Sequence, residues 1–145
     1  MKILVINGPN INMIGIREPD IYGKKTFADL LTMLDQTAVA EDIEIVQYQS
    51  NHEVAIVDTN QEAYGNTYGI VINPAAYTHT SIAILDALKA VAIPAVEVHI
   101  SDVDSREPFR QISYPGMACV KTIKGQGLDG YIQAIHYLKK YLKKS

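Results

Sequence analysis

The chain has 145 residues, a length that favours one domain on the usual scale of about 100–200 residues per domain. Hydrophobic residues make up 48% and charged residues 20%, which supports a packed core and argues against disorder. The net charge of -3 gives no electrostatic footprint for a nucleic-acid backbone, and no apolar run approaches the roughly 20 residues of a membrane span.

Residues 2–6 form a short, β-branched apolar run that ends at Asn7, Gly8, Pro9 and Asn10. This pattern predicts a strand buried on both faces. Residues 10–23 have no clear period and are expected to form a loop, in which Gly15 and Gly23 permit movement. Thr26 then has the position of an N-cap, with Asp29 as the third helical residue, and Phe27, Leu30, Leu31 and Leu34 follow at helical spacing. Residues 43–48 predict a second strand, and Ser50 or Asn51 can cap a helix reaching about Ala63. Residues 69–72 predict a third strand, stopped by Asn73 and Pro74. Residues 81–91 predict a helix that is apolar on most of its circumference and so buried on two sides. Strands at 95–99 and 118–123 and a helix over 128–142 complete the order.

Short apolar strands alternating with helices imply right-handed crossovers and a parallel sheet. The expected fold is an α/β, three-layer, doubly wound domain with five parallel strands in the flavodoxin-like order, occupying residues 1–145. The opening run is too short for a signal-peptide core, so the cytoplasm is the expected location. The lysines at 139, 140, 143 and 144 fit a helix C-terminus complementing its own dipole. Cys119 is the sole cysteine, which leaves no disulfide framework and no cysteine-based zinc site, and its apolar surroundings fit a buried inert thiol.

Ligands of such sheets bind beyond the carboxyl ends of the strands. There the sequence gathers Asn7 to Asn10 after the first strand, Asn73 to Thr80 after the third, and Glu97, His99, Ile100 and Ser101 at the fourth. Glu97 and His99 stand two apart and so share a face. A carboxylate beside an imidazole fixes its tautomer and stabilises the imidazolium, as general acid–base work requires, although by itself E-x-H fits a solvated strand end equally well. His79 lies in a helix-start pattern, Thr78 to Ser81, where amides and hydroxyls can hold a carboxylate, or where a histidine is incidental. In the loop, Arg17 accompanies Tyr22. A phenol of pKa about 10 is only about one-thousandth ionised at pH 7, and a nearby guanidinium favours the phenolate. Alone, the two residues also fit an exposed arginine and a packing tyrosine. Arg110 offers a bidentate clamp for an anion. Gly125, Gly127 and Gly130 spell G-x-G-x-x-G, but no further strand or acidic ribose ligand follows, so they predict a tight turn rather than a dinucleotide site.

The segments NGPNINMIG, REPDIYG, QSNHE, INPAAYTHTS, VEVHIS, REPFR and GQGLDGY, in this order, resemble type II dehydroquinases, the 3-dehydroquinate dehydratases of the shikimate pathway. The resemblance implies a flavodoxin-like fold, a dodecamer built of trimers, and no metal or organic cofactor. It also implies a mobile lid at about residues 15–23. Position by position, it makes Tyr22 the base at C2 of the substrate and Arg17 the residue that lowers its pKa. Asn10 would hold a water against the enolate oxygen, His99 would protonate the departing C1 hydroxyl, and Glu97 would orient His99. Asn73, His79, Arg110 and the backbone of Ile100 and Ser101 match substrate-binding positions. Asp86 matches an aspartate reaching a neighbouring subunit's site. Ala75 stands where glycine is common, Leu85 where arginine is frequent, and Asp104 with Ser105 where His-Ala is commoner.

Two other functions suit the fold. A flavin- or nucleotide-binding module fits, but the sequence has no Walker A motif. A phosphoacceptor receiver needs aspartates at strand ends, where this chain has Asn7 and Asn73.

Overall fold

The structure is a computed structural model that describes residues 1–16, 20 and 24–144. Its strands are β1 (Lys2–Asn7), β2 (Glu44–Gln49), β3 (Gly69–Asn73), β4 (Ala95–His99) and β5 (Lys121–Lys124). The helices are α1 (Phe27–Glu41), α2 (Glu53–Glu62), α3 (Ile82–Val91) and α4 (Asp129–Lys143). All strand pairings are parallel and the sheet order is β2-β1-β3-β4-β5, the flavodoxin-like order.

The apolar runs become central strands because both faces are covered. Ile3 and Val5 pack with Leu30 and Leu34 of α1 and with Ile135 and Leu138 of α4. Leu4 and Ile6, of opposite parity, pack with Ile56 of α2 and with Ile84 and Leu88 of α3. At the start of α1, Thr26 Oγ1 accepts from the Asp29 N–H at 3.2 Å and Asp29 Oδ2 accepts from the Thr26 N–H at 2.9 Å. This is the reciprocal cap expected from sequence, and such caps contribute about 1 kcal/mol.

Several boundaries differ from expectation. Helix α2 begins after His52, without a side-chain cap. Ser50 Oγ instead accepts from the His52 N–H, and Asn51 Oδ1 is drawn 41 positions back to the Asn10 N–H at 3.0 Å. Strand β5 starts at Lys121, because Pro115–Ala118 winds into a 3-10 turn in which the Cys119 N–H donates to Gly116. His79 ends the 3-10 turn Ala75–His79 rather than opening a helix; Ser81 caps α3, its Oγ accepting from Ile84 at 2.9 Å. Helix α3 packs on the sheet, α2 and the 115–118 turn, but Ile82 is 55% exposed and Asp86 also faces outward. No helix among the described residues is long and apolar enough to cross a membrane.

Candidate active site

A cleft of about 620 Å³, counting its open mouth, lies at the carboxyl ends of β1, β3 and β4. Asn10 and Ile11 line one wall, Asn73, Ala75 and His79 a second, and His99, Ile100 and Ser101 the third, with Arg106 and Arg110 at the rim. The loops after β1 and β3 can meet because Gly8 has no side chain. A Cβ there would stand 2.5 Å from the Pro74 carbonyl oxygen, and the Gly8 N–H donates to Asn73 O at 2.8 Å. Asn10 takes a left-handed conformation (φ 68°) and its N–H is held by Asn51, whose own carbonyl accepts from the Tyr77 hydroxyl at 2.7 Å. The QSNHE segment thus shapes the wall that carries Asn10.

Glu97 and His99 share a face of β4 as their spacing requires, with Glu97 Oε2 3.1 Å from His99 Nε2 and both side chains buried. The Thr122 hydroxyl of β5 donates to Glu97 Oε1 at 2.9 Å, from the position directly opposite Glu97 in the ladder. The Ser113 hydroxyl donates to Glu97 Oε2. Its proton is directed there because the Gly116 N–H, at 3.0 Å, occupies an oxygen lone pair. Burial pushes the Glu97 carboxyl up, but the hydrogen bond and charge of His99, with the Ser113 and Thr122 hydroxyls, outweigh it and hold the carboxyl below its ordinary range. A carboxylate therefore sits behind an imidazole whose Nε2 it binds. The remaining ring nitrogen, Nδ1, has no hydrogen-bond partner among the described residues and can exchange a proton with a ligand.

The other side chains have different settings. His79 Nδ1 lies 2.8 Å from the Ile112 carbonyl, which only accepts, so Nδ1 carries the proton and Nε2 of the neutral ring is an acceptor. Arg110 Nε donates to Glu107 Oε2 at 2.5 Å on the surface. Asn73 Oδ1 accepts from the Ala75 N–H at 3.1 Å, and Ala75 is held at φ 54°, a conformation that favours glycine. Asp86 is exposed on α3 and is not among the residues lining this chain's cleft. Arg17 and Tyr22, with most of the expected 15–23 loop, lie outside the described residues.

The G-x-G-x-x-G run makes the tight turn expected of it. The Gly125 N–H donates to Ser101 O at 3.1 Å and the Gly127 N–H to Ile100 O at 3.1 Å. These amides brace the cleft wall and are not left for a pyrophosphate. Cys119 is half-buried rather than fully buried, its thiol bonded to Pro115 O at 3.4 Å, and desolvation, with the Glu97 charge, pushes it up to about 12. No group of three or more His, Cys, Asp or Glu residues among the described residues is placed to hold a metal.

Four residues escaped sequence reasoning. Thr122 becomes legible once β5 is placed in register beside β4. Arg106 stands in the same REPFR segment as Arg110 and also lines the cleft. Ser113, in an irregular polar stretch, carries no sequence signal. Tyr131, within GQGLDGY, is wholly buried between the ends of β1 and β3.

Comparison with known proteins agrees with this architecture. Residues 1–139 match the family described as Dehydroquinase class II. The chain is 56% identical to a 3-dehydroquinate dehydratase of Lachnoclostridium phytofermentans, over 93% of this chain and 94% of that protein. It is 51% identical to the enzyme of that name from Clostridium acetobutylicum, over 99% and 100%. A solved type II dehydroquinase from Butyrivibrio crossotus superposes with a TM-score of 0.94 at 56% identity, covering 96% of this chain and 97% of that one. The corresponding structure from Propionibacterium acnes gives 0.91 at 39% identity, covering 96% of each. The chain belongs to the class II dehydroquinase family.

Proposed function

We propose that this enzyme dehydrates 3-dehydroquinate to 3-dehydroshikimate in the shikimate pathway, by anti elimination through an enolate and without a cofactor. The observation that carries the reading is the buried Glu97–His99 pair, with Nδ1 unclaimed at a cleft flanked by two arginines. Tyr22, as phenolate assisted by Arg17, takes the proton from C2 and leaves an enolate. Asn10 holds a water against the enolate oxygen. The enolate then expels the C1 hydroxyl, whose oxygen takes a proton from the His99 imidazolium and departs as water. His99 ends neutral, its Nε2–H still bonded to Glu97. Asn73, His79, Arg110 and the backbone of Ile100 and Ser101 bind the substrate, and residues 15–23 close over it. Asp86 serves a neighbouring subunit's site in a dodecamer built of trimers. The enzyme works in the cytoplasm.

An imine route would need a lysine that is desolvated or set among cations. Among the described residues no lysine lines the cleft, and Lys124, which ends β5 opposite His99, is partly exposed and paired with Asp104 Oδ2 at 2.5 Å, so it is neither desolvated nor set among cations. The test is to add 3-dehydroquinate to the pure protein and follow the conjugated product in the ultraviolet, with and without borohydride. Product should appear, and borohydride should leave activity intact and add no mass. No product, or substrate-dependent inactivation with an adduct on a lysine, contradicts the proposal.

A further inference from the structure

At the topological switch between β1 and β3, three buried side chains form one directed chain of hydrogen bonds. Its polarity follows from a backbone group that cannot turn round. The Ala75 N–H donates to Asn73 Oδ1 at 3.1 Å, so the other end of that carboxamide is the donor Nδ2. Asn73 Nδ2 donates to the Tyr131 hydroxyl at 2.9 Å. The hydroxyl has one proton, which it gives to Asn7 Oδ1 at 2.5 Å. Tyr131 is 0% exposed, Asn7 1% and Asn73 3%. Burial holds the Tyr131 phenol well above its ordinary range despite the Asn73 bond, so it acts as a neutral hydroxyl.

Asn73 is the one member of this chain that lines the cleft. A carboxamide without the Tyr131 hydroxyl keeps only the Ala75 contact and gains freedom about its terminal torsion, which is broad. We propose that Tyr131 is a positioning residue for substrate binding, acting through Asn73 to fix which edge of its carboxamide the substrate meets. The inference rests on the dehydratase reading, because the ligand concerned is 3-dehydroquinate.

The experiment is a double-mutant cycle in steady-state kinetics, with Tyr131→Phe, Asn73→Ala and the double variant, together with thermal midpoints. A net hydrogen bond corresponds to a change of about two- to tenfold, so Tyr131→Phe should raise KM by that factor and leave kcat within about twofold. In the Asn73→Ala background the KM factor should fall to about one, while the loss in thermal midpoint persists because Asn7 is still left unpaired. The same KM factor in both backgrounds, an unchanged KM, or a loss confined to kcat overturns the inference. Should Tyr131→Phe not fold, Asn7→Ala, which frees the Tyr131 hydroxyl to turn away from Asn73, carries the same cycle with the same KM outcomes, its thermal loss then coming from the unpaired Tyr131 hydroxyl. A wild type that makes no product sinks the dehydratase reading itself. A wild type that turns over with independent KM effects sinks the Tyr131 inference alone.

Discussion

Two glutamates of this chain pair with a nitrogen base near the cleft, and they differ in almost everything else. Glu97 meets His99 at 3.1 Å with side-chain exposures of 1% and 7%, and two hydroxyls complete its coordination. Glu107 meets Arg110 at 2.5 Å, but it is 48% exposed and the pair lies one 3-10 turn apart on the surface. Both carboxyls are held below their ordinary range. For Glu107 the Arg110 hydrogen bond is the leading cause, whereas Glu97 must first overcome its own burial. The shorter contact is the less consequential one. A surface pair is screened by water and salt, while a buried carboxylate with every partner in place costs much to disturb.

The sharpest break of the comparison lies outside both pairs. Tyr22→Phe should abolish turnover while substrate still binds, since it removes the proposed base and little volume; Arg17→Ala should come close to it. Near-normal turnover in Tyr22→Phe would end the tyrosinate proposal. Next in size, Glu97→Gln should lower kcat by about 10²–10⁴-fold, the range for a positioned acid–base group, because the imidazolium loses its carboxylate. Glu107→Gln should leave kcat unaffected under the same conditions.

The Ser113 and Thr122 hydroxyls make the difference between the two carboxylates measurable as stability. Ser113→Ala or Thr122→Val should each cost about 1.5–3 kcal/mol in chemical denaturation at neutral pH, the range for a hydrogen bond to a charged group. The sign of the pH effect is fixed by the direction of the Glu97 shift. Its folded value lies below its ordinary 4.5, so ionised Glu97 contributes stability above that value and loses it as pH falls through the lower folded one. The deficit of each hydroxyl variant should therefore be full at neutral pH and shrink in acid. A deficit that grows as pH falls would mean that the hydroxyls do not favour the carboxylate. The smallest effect belongs to Glu107→Gln, which should raise KM slightly and only at low salt, as expected when a screened pair orients Arg110.

Much of this arrangement is legible in the residues themselves. Lys2–Asn7 reads as a central strand because an uninterrupted apolar run needs cover on both faces, and the Thr26–Asp29 cap reads from a four-residue pattern. Glu97 and His99 follow from a period of two. The missed features are those made by chain segments distant in sequence. Ser113 reaches Glu97 across 16 positions and Tyr131 reaches Asn7 across 124, with no local periodicity to announce either contact. Asn51 looked like a helix cap because local rules favour it there, but the Asn10 N–H competes for its carbonyl oxygen. The start of β5 departs from its local pattern for a related reason. Residues 117–120 are apolar enough for a strand, yet Pro115 starts a 3-10 turn.

The most direct test of the central claim, that the imidazole seated on Glu97 is the acid, compares His99→Ala with His79→Ala in the ultraviolet assay. His79 is bound only to the Ile112 carbonyl and has no carboxylate behind it among the described residues. His99→Ala should lose about 10²–10⁴-fold in kcat, and His79→Ala should chiefly raise KM. If His79→Ala lost kcat and His99→Ala only weakened binding, the two roles would be exchanged and the assignment of the buried pair would be wrong.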